Sequence, residues 1–238
     1  MLSSALHCDH DFIILDSYNL SRTIVPLRCY KHLVQMIDDP GQEAIGSTLV
    51  SPFAVPSFTA SNLNPVVLRG AKYAIFTPLK NLGVLRKNNP EVLLTLGNSA
   101  PQVSEQIVDV LIELGFALAQ ITCPELGMGV DAGGITKSEH DDMLLNARHV
   151  ITAGGVTQLE LIATLKKGIT IPVADNQLPS TRYLEKYGLT TCLEFPVVAR
   201  QLAEALDSPA RYEDFAFAPD GQGASRLIRF LEDQGDAS

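Results

Sequence analysis

The chain has 238 residues, 46% of them hydrophobic and 19% charged, a balance that builds a packed core and excludes an intrinsically disordered protein. Its 18 basic and 27 acidic residues leave a net charge of −9, which argues against a nucleic-acid surface. No apolar run approaches the roughly 18 residues of a membrane span, and MLSSALHCDHDF at the start has no basic or long apolar stretch, so a cytoplasmic globular protein without a secretory signal is expected.

Short apolar runs alternate with helical periodicity along the chain. FIILD at 12–16 reads as a candidate buried strand that ends on an acid. Val34 to Ile37 precedes the acidic pair Asp38 and Asp39, and Thr48 to Val50 is a third, weaker run. In VVLRGAKYAIFTPLK, 66–80, two apolar stretches flank a glycine. After a polar break at Lys87-Asn88-Asn89-Pro90 the rhythm becomes regular: EVLLTLG (91–97) predicts a strand and turn. Val103, Ile107, Val110, Leu111 and Leu114 then fall at helical spacing, with acidic and amide residues between them.

ALAQITC (117–123) predicts the next strand, followed by a loop from Pro124 to Thr136. Ser138 and Asp141 have N-cap and N3 spacing for a helix that ends before His149. HVITAGG reads as strand and turn, TQLELIATLKK as helix, ITIPVAD as strand, 180–187 as helix and TTCLEF as strand. Helical stretches near 197–207 and 222–233 complete the pattern.

Strands of continuous apolar residues alternating with helices define an α/β fold with parallel sheets covered on both faces. The break near 80–90 predicts two domains. Residues 1–85 form a partial Rossmann-like unit, and 86–238 form a complete Rossmann-like nucleotide-binding domain.

Cys8, Cys29, Cys123 and Cys192 are scattered, which is not a disulfide framework. His7, Cys8, Asp9 and His10 adjoin one another, but no second cluster completes four ligands, so no metal is expected. His32, His140 and His149 stand singly, and His140 with Asp141 and Asp142 reads as a solvated first turn. Tyr183 and Tyr187, four apart, read as one helix face.

In open parallel sheets ligands bind beyond the carboxyl ends of the strands. Three strand-to-helix turns are candidates. In Leu96-Gly97-Asn98-Ser99-Ala100-Pro101 the glycine admits a close backbone approach and the following helix points free N–H groups at the turn; a plain tight turn explains the same residues. Gly154 and Gly155 open a helix where a phosphate could rest on bare amides. Thr157 and Glu160 match a capping box, and Glu160 could equally bind a ribose diol. Asp175, Asn176 and Gln177 follow a strand and suit contacts to sugar or phosphate oxygens, or cap the next helix. All three turns belong to one sheet and should open on the same edge.

TLGNSAP, ITAGGVTQLELIA, IPVADNQ and DGQGASRLIRFL resemble the nucleotide-binding half of a GT-B-type UDP-sugar enzyme. The pattern is similar to the UDP-2,4-diacetamido-2,4,6-trideoxy-β-L-altropyranose hydrolases of pseudaminic acid biosynthesis and their spore-coat polysaccharide relatives. DFIILDSYNL resembles that family's strand ending in Asp-His-Tyr-Gly, LVQMIDD its next strand, and VVLRGAKYAIFTP its Gly-x-x-Tyr-Ala-Leu-Leu-Arg-Pro segment, so the likeness runs collinearly over about residues 11–234.

The resemblance implies water attack at the anomeric carbon of a UDP-linked sugar with loss of UDP, needing no cofactor and no metal. It assigns Gly154, Gly155 and Thr157 to the diphosphate and Glu160 to the uridine ribose. Asp175, Asn176 and Gln177 would face sugar and diphosphate, with Gly97, Asn98 and Ser99 beside them, and Tyr18 would lie near the reacting centre. The family's glycine-rich loop with its catalytic histidine should precede DFIILD; eleven residues precede FIILD here and none form such a loop, so the base is unassigned. Ser17, Thr77, Asn98 and Ala100 also depart from the family's pattern.

Three functions fit: a UDP-sugar hydrolase, a non-catalytic nucleotide-sugar-binding protein, and a UDP-sugar glycosyltransferase. A shortened first domain should also expose apolar surface, which predicts a homo-oligomer or a partner chain covering residues 1–80. A monodisperse monomer in light scattering would count against that expectation.

Overall fold

The computed structural model describes residues 12–16, 33–37, 43–53, 59–60, 65–79, 90–97, 100–130, 135–208 and 219–235. Tyr18, Asn98 and Ser99 lie outside these residues. The chain divides into two compact units, one of residues 1–74 with 222–238 and one of residues 75–221.

The first unit holds a four-stranded parallel sheet in the order β1 (Ile13–Leu15), β2 (Leu33–Met36), β4 (Thr48–Ser51), β6 (Val66–Arg69). A small parallel pair, β3 (Glu43–Ala44) and β5 (Thr59–Ala60), stands apart from it. Val34, Val50 and Leu68 are buried against Leu227 and Leu231 of the C-terminal helix α6 (Gly223–Gly235). That packing assigns α6 to the first unit, whereas chain order placed residues 222–233 at the end of an 86–238 domain. The apolar stripe of α6 needs a sheet to cover, and the first sheet supplies it.

The second unit is a five-stranded sheet, every pair parallel, in the order β11 (Thr190–Cys192), β10 (Gly168–Thr170), β9 (His149–Thr152), β7 (Val92–Thr95), β8 (Ile121–Thr122). All four residues of β7 are buried, as a strand covered on both faces requires. Alternation sorts them. Val92 and Leu94 face a core with Ile107, Val108 and Leu111 of α1 (Pro101–Glu113) and Leu202 of α5 (Ala199–Leu206). Leu93 faces Met143 and Leu144 of α2 (Lys137–Asn146) and Leu161 of α3 (Val156–Ala163). The remaining helix, α4 (Gln177–Lys186), follows β10, and Tyr183 packs edge-on against Tyr187 at 5.1 Å.

Two local expectations change. Residues Leu118–Gln120 of the predicted strand form a 3-10 turn, because Gln120 Oε1 accepts from the Ala117 N–H and pulls the chain round. Ile121 and Thr122 alone reach β7. The cap of α2 is Thr136, not Ser138: its hydroxyl accepts from Glu139 N at 3.2 Å, and Glu139 Oε2 accepts from Thr136 N at 2.9 Å. No helix among the described residues is long and apolar enough to cross a membrane.

Candidate functional site

The strand order of the second sheet sets where a ligand can enter. From β7 the chain crosses through α1 to β8 on one side, then returns to β9 on the other. The crevice between the carboxyl ends of β7 and β9 is therefore a topological switch point. Thr95 and Thr152, the last residues of these strands, are register partners, so the turn at Gly97 and the turn at Gly154–Gly155 start side by side. Sequence reasoning placed both turns on the same edge of one sheet; the strand order adds that they are neighbours across one crevice.

Gly155 is the N-cap of α3, and no side chain caps that helix. Thr157 lies inside the first turn, so the expected Thr157–Glu160 capping box does not form. The turn must bend past Thr181 and Gln177, and this places the cap two residues earlier. The first-turn N–H groups are left for an external acceptor, as helix starts require. A Cβ on Gly155 would meet no heavy atom within 4 Å, so the side-chain direction at this residue is open space. Gly154 is the opposite case: a Cβ there would stand 2.6 Å from Thr181 Oγ1 and 2.8 Å from the Gln177 Cβ.

Gln177, the first residue of α4, joins the second and third turns. Its Oε1 accepts from Gly154 N at 3.2 Å and from Val173 N at 2.9 Å. This side-chain oxygen thus staples the glycine turn to the segment that follows β10. Asn176 is the N-cap of α4 but makes no side-chain cap bond, and Asp175 beside it is exposed. Asp175 borders an open cleft of about 550 Å³ lined by Val103, Val173, Leu178, Glu194 and Phe195.

Glu160, on the second turn of α3, is 6% exposed. A carboxylate at that depth needs a partner, and Lys137 supplies it: Lys137 Nζ lies 2.9 Å from Glu160 Oε1 and 2.6 Å from Asp141 Oδ1. Burial works against the charge of this ammonium, but the Asp141 and Glu160 carboxylates outweigh it and hold Lys137 above the ordinary lysine value. Next to it, His140 Nε2 lies 3.2 Å from Thr95 Oγ1. Burial, then the Lys137 charge, push the imidazole below its ordinary value, with Glu160, Asp141 and Glu125 opposing. His140 and the 9%-exposed Asp142 are therefore not a solvated first turn: His140 reaches Thr95 of β7, and Asp142 Oδ1 accepts from Asn146 Nδ2 one turn along the helix.

The Gly97 turn carries the third feature. Gly97 has φ +86° and is exposed, and its N–H donates to Glu125 Oε1 at 2.6 Å. Glu125 Oε2 accepts from Cys123 Sγ at 3.4 Å, and burial together with this carboxylate pushes the Cys123 thiol up to about 12. Among the described residues no cluster of His, Cys, Asp and Glu could hold a metal ion.

The structure thus gathers Gly97, Gly154, Gly155, Thr157, Glu160, Asp175, Asn176 and Gln177 along one sheet edge. It adds Lys137, His140, Thr95, Glu125 and Thr181, which sequence reasoning missed. Lys137 and Asp141 were legible as an i, i+4 pair. The contacts across 23 and 28 residues, Lys137 to Glu160 and Gly97 to Glu125, left no local trace.

No family model and no curated protein matches the chain. Its fold is of the GT-B type, an α/β architecture of Rossmann-like units. The spinosyn forosaminyltransferase SpnP aligns over 98% of this chain and 74% of its own, at TM-score 0.55 and 15% identity. The Streptomyces sp. SF2575 glycosyltransferase SsfS6, solved with thymidine diphosphate, aligns over 98% and 68% at TM-score 0.54 and 14% identity. MurG of Acinetobacter baumannii aligns over 94% and 73% at TM-score 0.50 and 13% identity. At these identities the likeness is one of fold.

Proposed function

We propose that the second unit binds a nucleoside-diphosphate sugar, with UDP as the nucleotide. The observation that carries this reading is the uncapped start of α3 beside the buried Glu160 carboxylate, both at the switch point. The Gly155 amide and the first-turn N–H groups at Thr157 would take the diphosphate, and Glu160 would take the ribose hydroxyls. Gly154 belongs to this seat as the residue small enough to let the turn pass Thr181 and Gln177. Gly97, with Asn98 and Ser99 next in sequence, would lie beside the diphosphate, and Asp175, Asn176 and Gln177 toward the sugar. Tyr18 remains the residue that the hydrolase resemblance assigns near the reacting centre.

Glycosyl transfer is the reaction this reading favours, because the solved proteins of similar fold include several glycosyltransferases. Whether an acceptor or water attacks the anomeric carbon, UDP departs with added negative charge. An uncapped helix start stabilises that charge. The hydrolase reading differs only in the nucleophile.

Calorimetric titration of the purified chain with UDP, and GDP as control, tests the binding site. Micromolar binding of UDP alone is expected; no heat at millimolar UDP would sink the proposal. Release of UDP from a UDP-sugar with and without added acceptor alcohols then separates transfer from hydrolysis.

A further inference from the structure

Lys137 holds a position that the turns alone do not explain. It is the first residue of α2, fixed there by the Thr136–Glu139 capping box, and its ammonium reaches across to α3. Its side chain is 61% exposed, while that of Glu160 is 8% exposed, so the lysine meets the buried carboxylate from the solvent side. Asp141, one turn along α2, anchors the same ammonium. Among the described residues Glu160 accepts from Lys137 alone, through Oε1, and Oε2 takes no hydrogen bond.

We propose that Lys137 is a positioning residue for the nucleotide's sugar ring, so that the site prefers ribonucleotides to 2′-deoxyribonucleotides; this rests on the nucleotide site proposed above. Held at Oε1, the Glu160 carboxylate has one fixed orientation and presents its second oxygen to a hydroxyl donor. A ribose offers two adjacent hydroxyls, and a carboxylate can accept from both. A 2′-deoxyribose offers one fewer, leaving acceptor capacity in a desolvated carboxylate unmet. Without the ammonium, the carboxylate loses its anchor and turns toward solvent, and the difference between the two sugars shrinks.

The test is titration of the full chain with UDP and with 2′-deoxy-UDP, in the natural protein and in Lys137→Met, Lys137→Arg, Glu160→Gln and the Lys137→Met/Glu160→Gln pair. The natural protein should prefer UDP by roughly tenfold, the scale of one hydrogen bond to a charged group. Lys137→Met should bring the ratio to within about twofold, the scale of a hydrogen bond largely lost, and Lys137→Arg should keep the preference. In the Glu160→Gln background, Lys137→Met should change the ratio no further. Lys137→Gln gives the same comparison if the methionine variant does not fold. Equal weakening of both nucleotides by Lys137→Met, or an unchanged ratio, overturns the inference while the UDP site stands. Failure of the natural protein to bind UDP overturns the site itself and this inference with it.

Discussion

The backbone N–H of Gly97 donates to the Glu125 carboxylate at 2.6 Å, across 28 residues of sequence. A glycine amide at a strand-end turn is where the phosphate of a nucleotide would seek a donor, and here an internal carboxylate already occupies it. Glu125 and an incoming diphosphate compete for one donor and repel each other. Glu125→Gln should therefore tighten UDP binding by roughly tenfold, the scale of one charge-assisted hydrogen bond, with the gain shrinking as salt rises. Calorimetry at low and high ionic strength checks this; weaker binding would mean that Glu125 contacts the ligand directly.

The two adjacent glycines should respond oppositely to alanine. Gly154→Ala drives a methyl into Thr181 Oγ1 and the Gln177 Cβ and should cost about 1–3 kcal/mol of stability. Gly155→Ala places its methyl in open space and should leave stability within about 0.5 kcal/mol while weakening UDP. Urea unfolding and nucleotide titration of both variants make the comparison. Equal stability losses would contradict the different surroundings of the two positions.

His140 makes stability depend on pH with a definite sign. Its folded value lies below the ordinary 6.5, first because it is buried and next because Lys137 is near. Between that depressed value and 6.5 the unfolded chain binds a proton that the folded chain does not, so stability falls as pH drops through this window. Below the folded value the loss levels off. Glu160, Asp141 and Glu125 face the ring with opposite effect and limit the size of the change. Urea midpoints between pH 5 and 8 should fall less steeply in His140→Gln than in the natural protein. Parallel curves would show that the ring is not the source. His149, also lowered by burial, adds the same background to both proteins.

Leu227 of α6 is 3% exposed among Val34, Val50 and Leu68. Leu227→Ala should cost the first unit about 2–4 kcal/mol, the range for a buried leucine that leaves a cavity. Faster hydrogen exchange at the amides of β2 and β4 would report it. Unchanged exchange there would mean that α6 does not stabilise the sheet.

Much of the second unit was legible because it is written locally. The continuous apolar run of β7, the spacing of Ile107 and Leu111, and the glycine pair Gly154–Gly155 after β9 each occupy one window of sequence. Capping was read one step off: Thr136 and Glu139 carry the same spacing as Ser138 and Asp141, and only the path of the loop decides between them. The tertiary contacts were not legible. Nothing near Glu160 announces Lys137, nothing near Gly97 announces Glu125, and the stripe on α6 does not say which sheet it covers. Those partners follow from strand order, which an apolar pattern leaves open.

The pairing of α6 with β2, β4 and β6 also fixes a timetable. Residues 75–221 lie wholly between the two segments of the first unit, so they leave the ribosome before α6 does. Domains fold as units as they emerge, and the first sheet waits for α6, which follows the whole of the second unit. The nascent protein can thus hold a finished second sheet while Val34, Val50 and Leu68 still lack the helix that covers them.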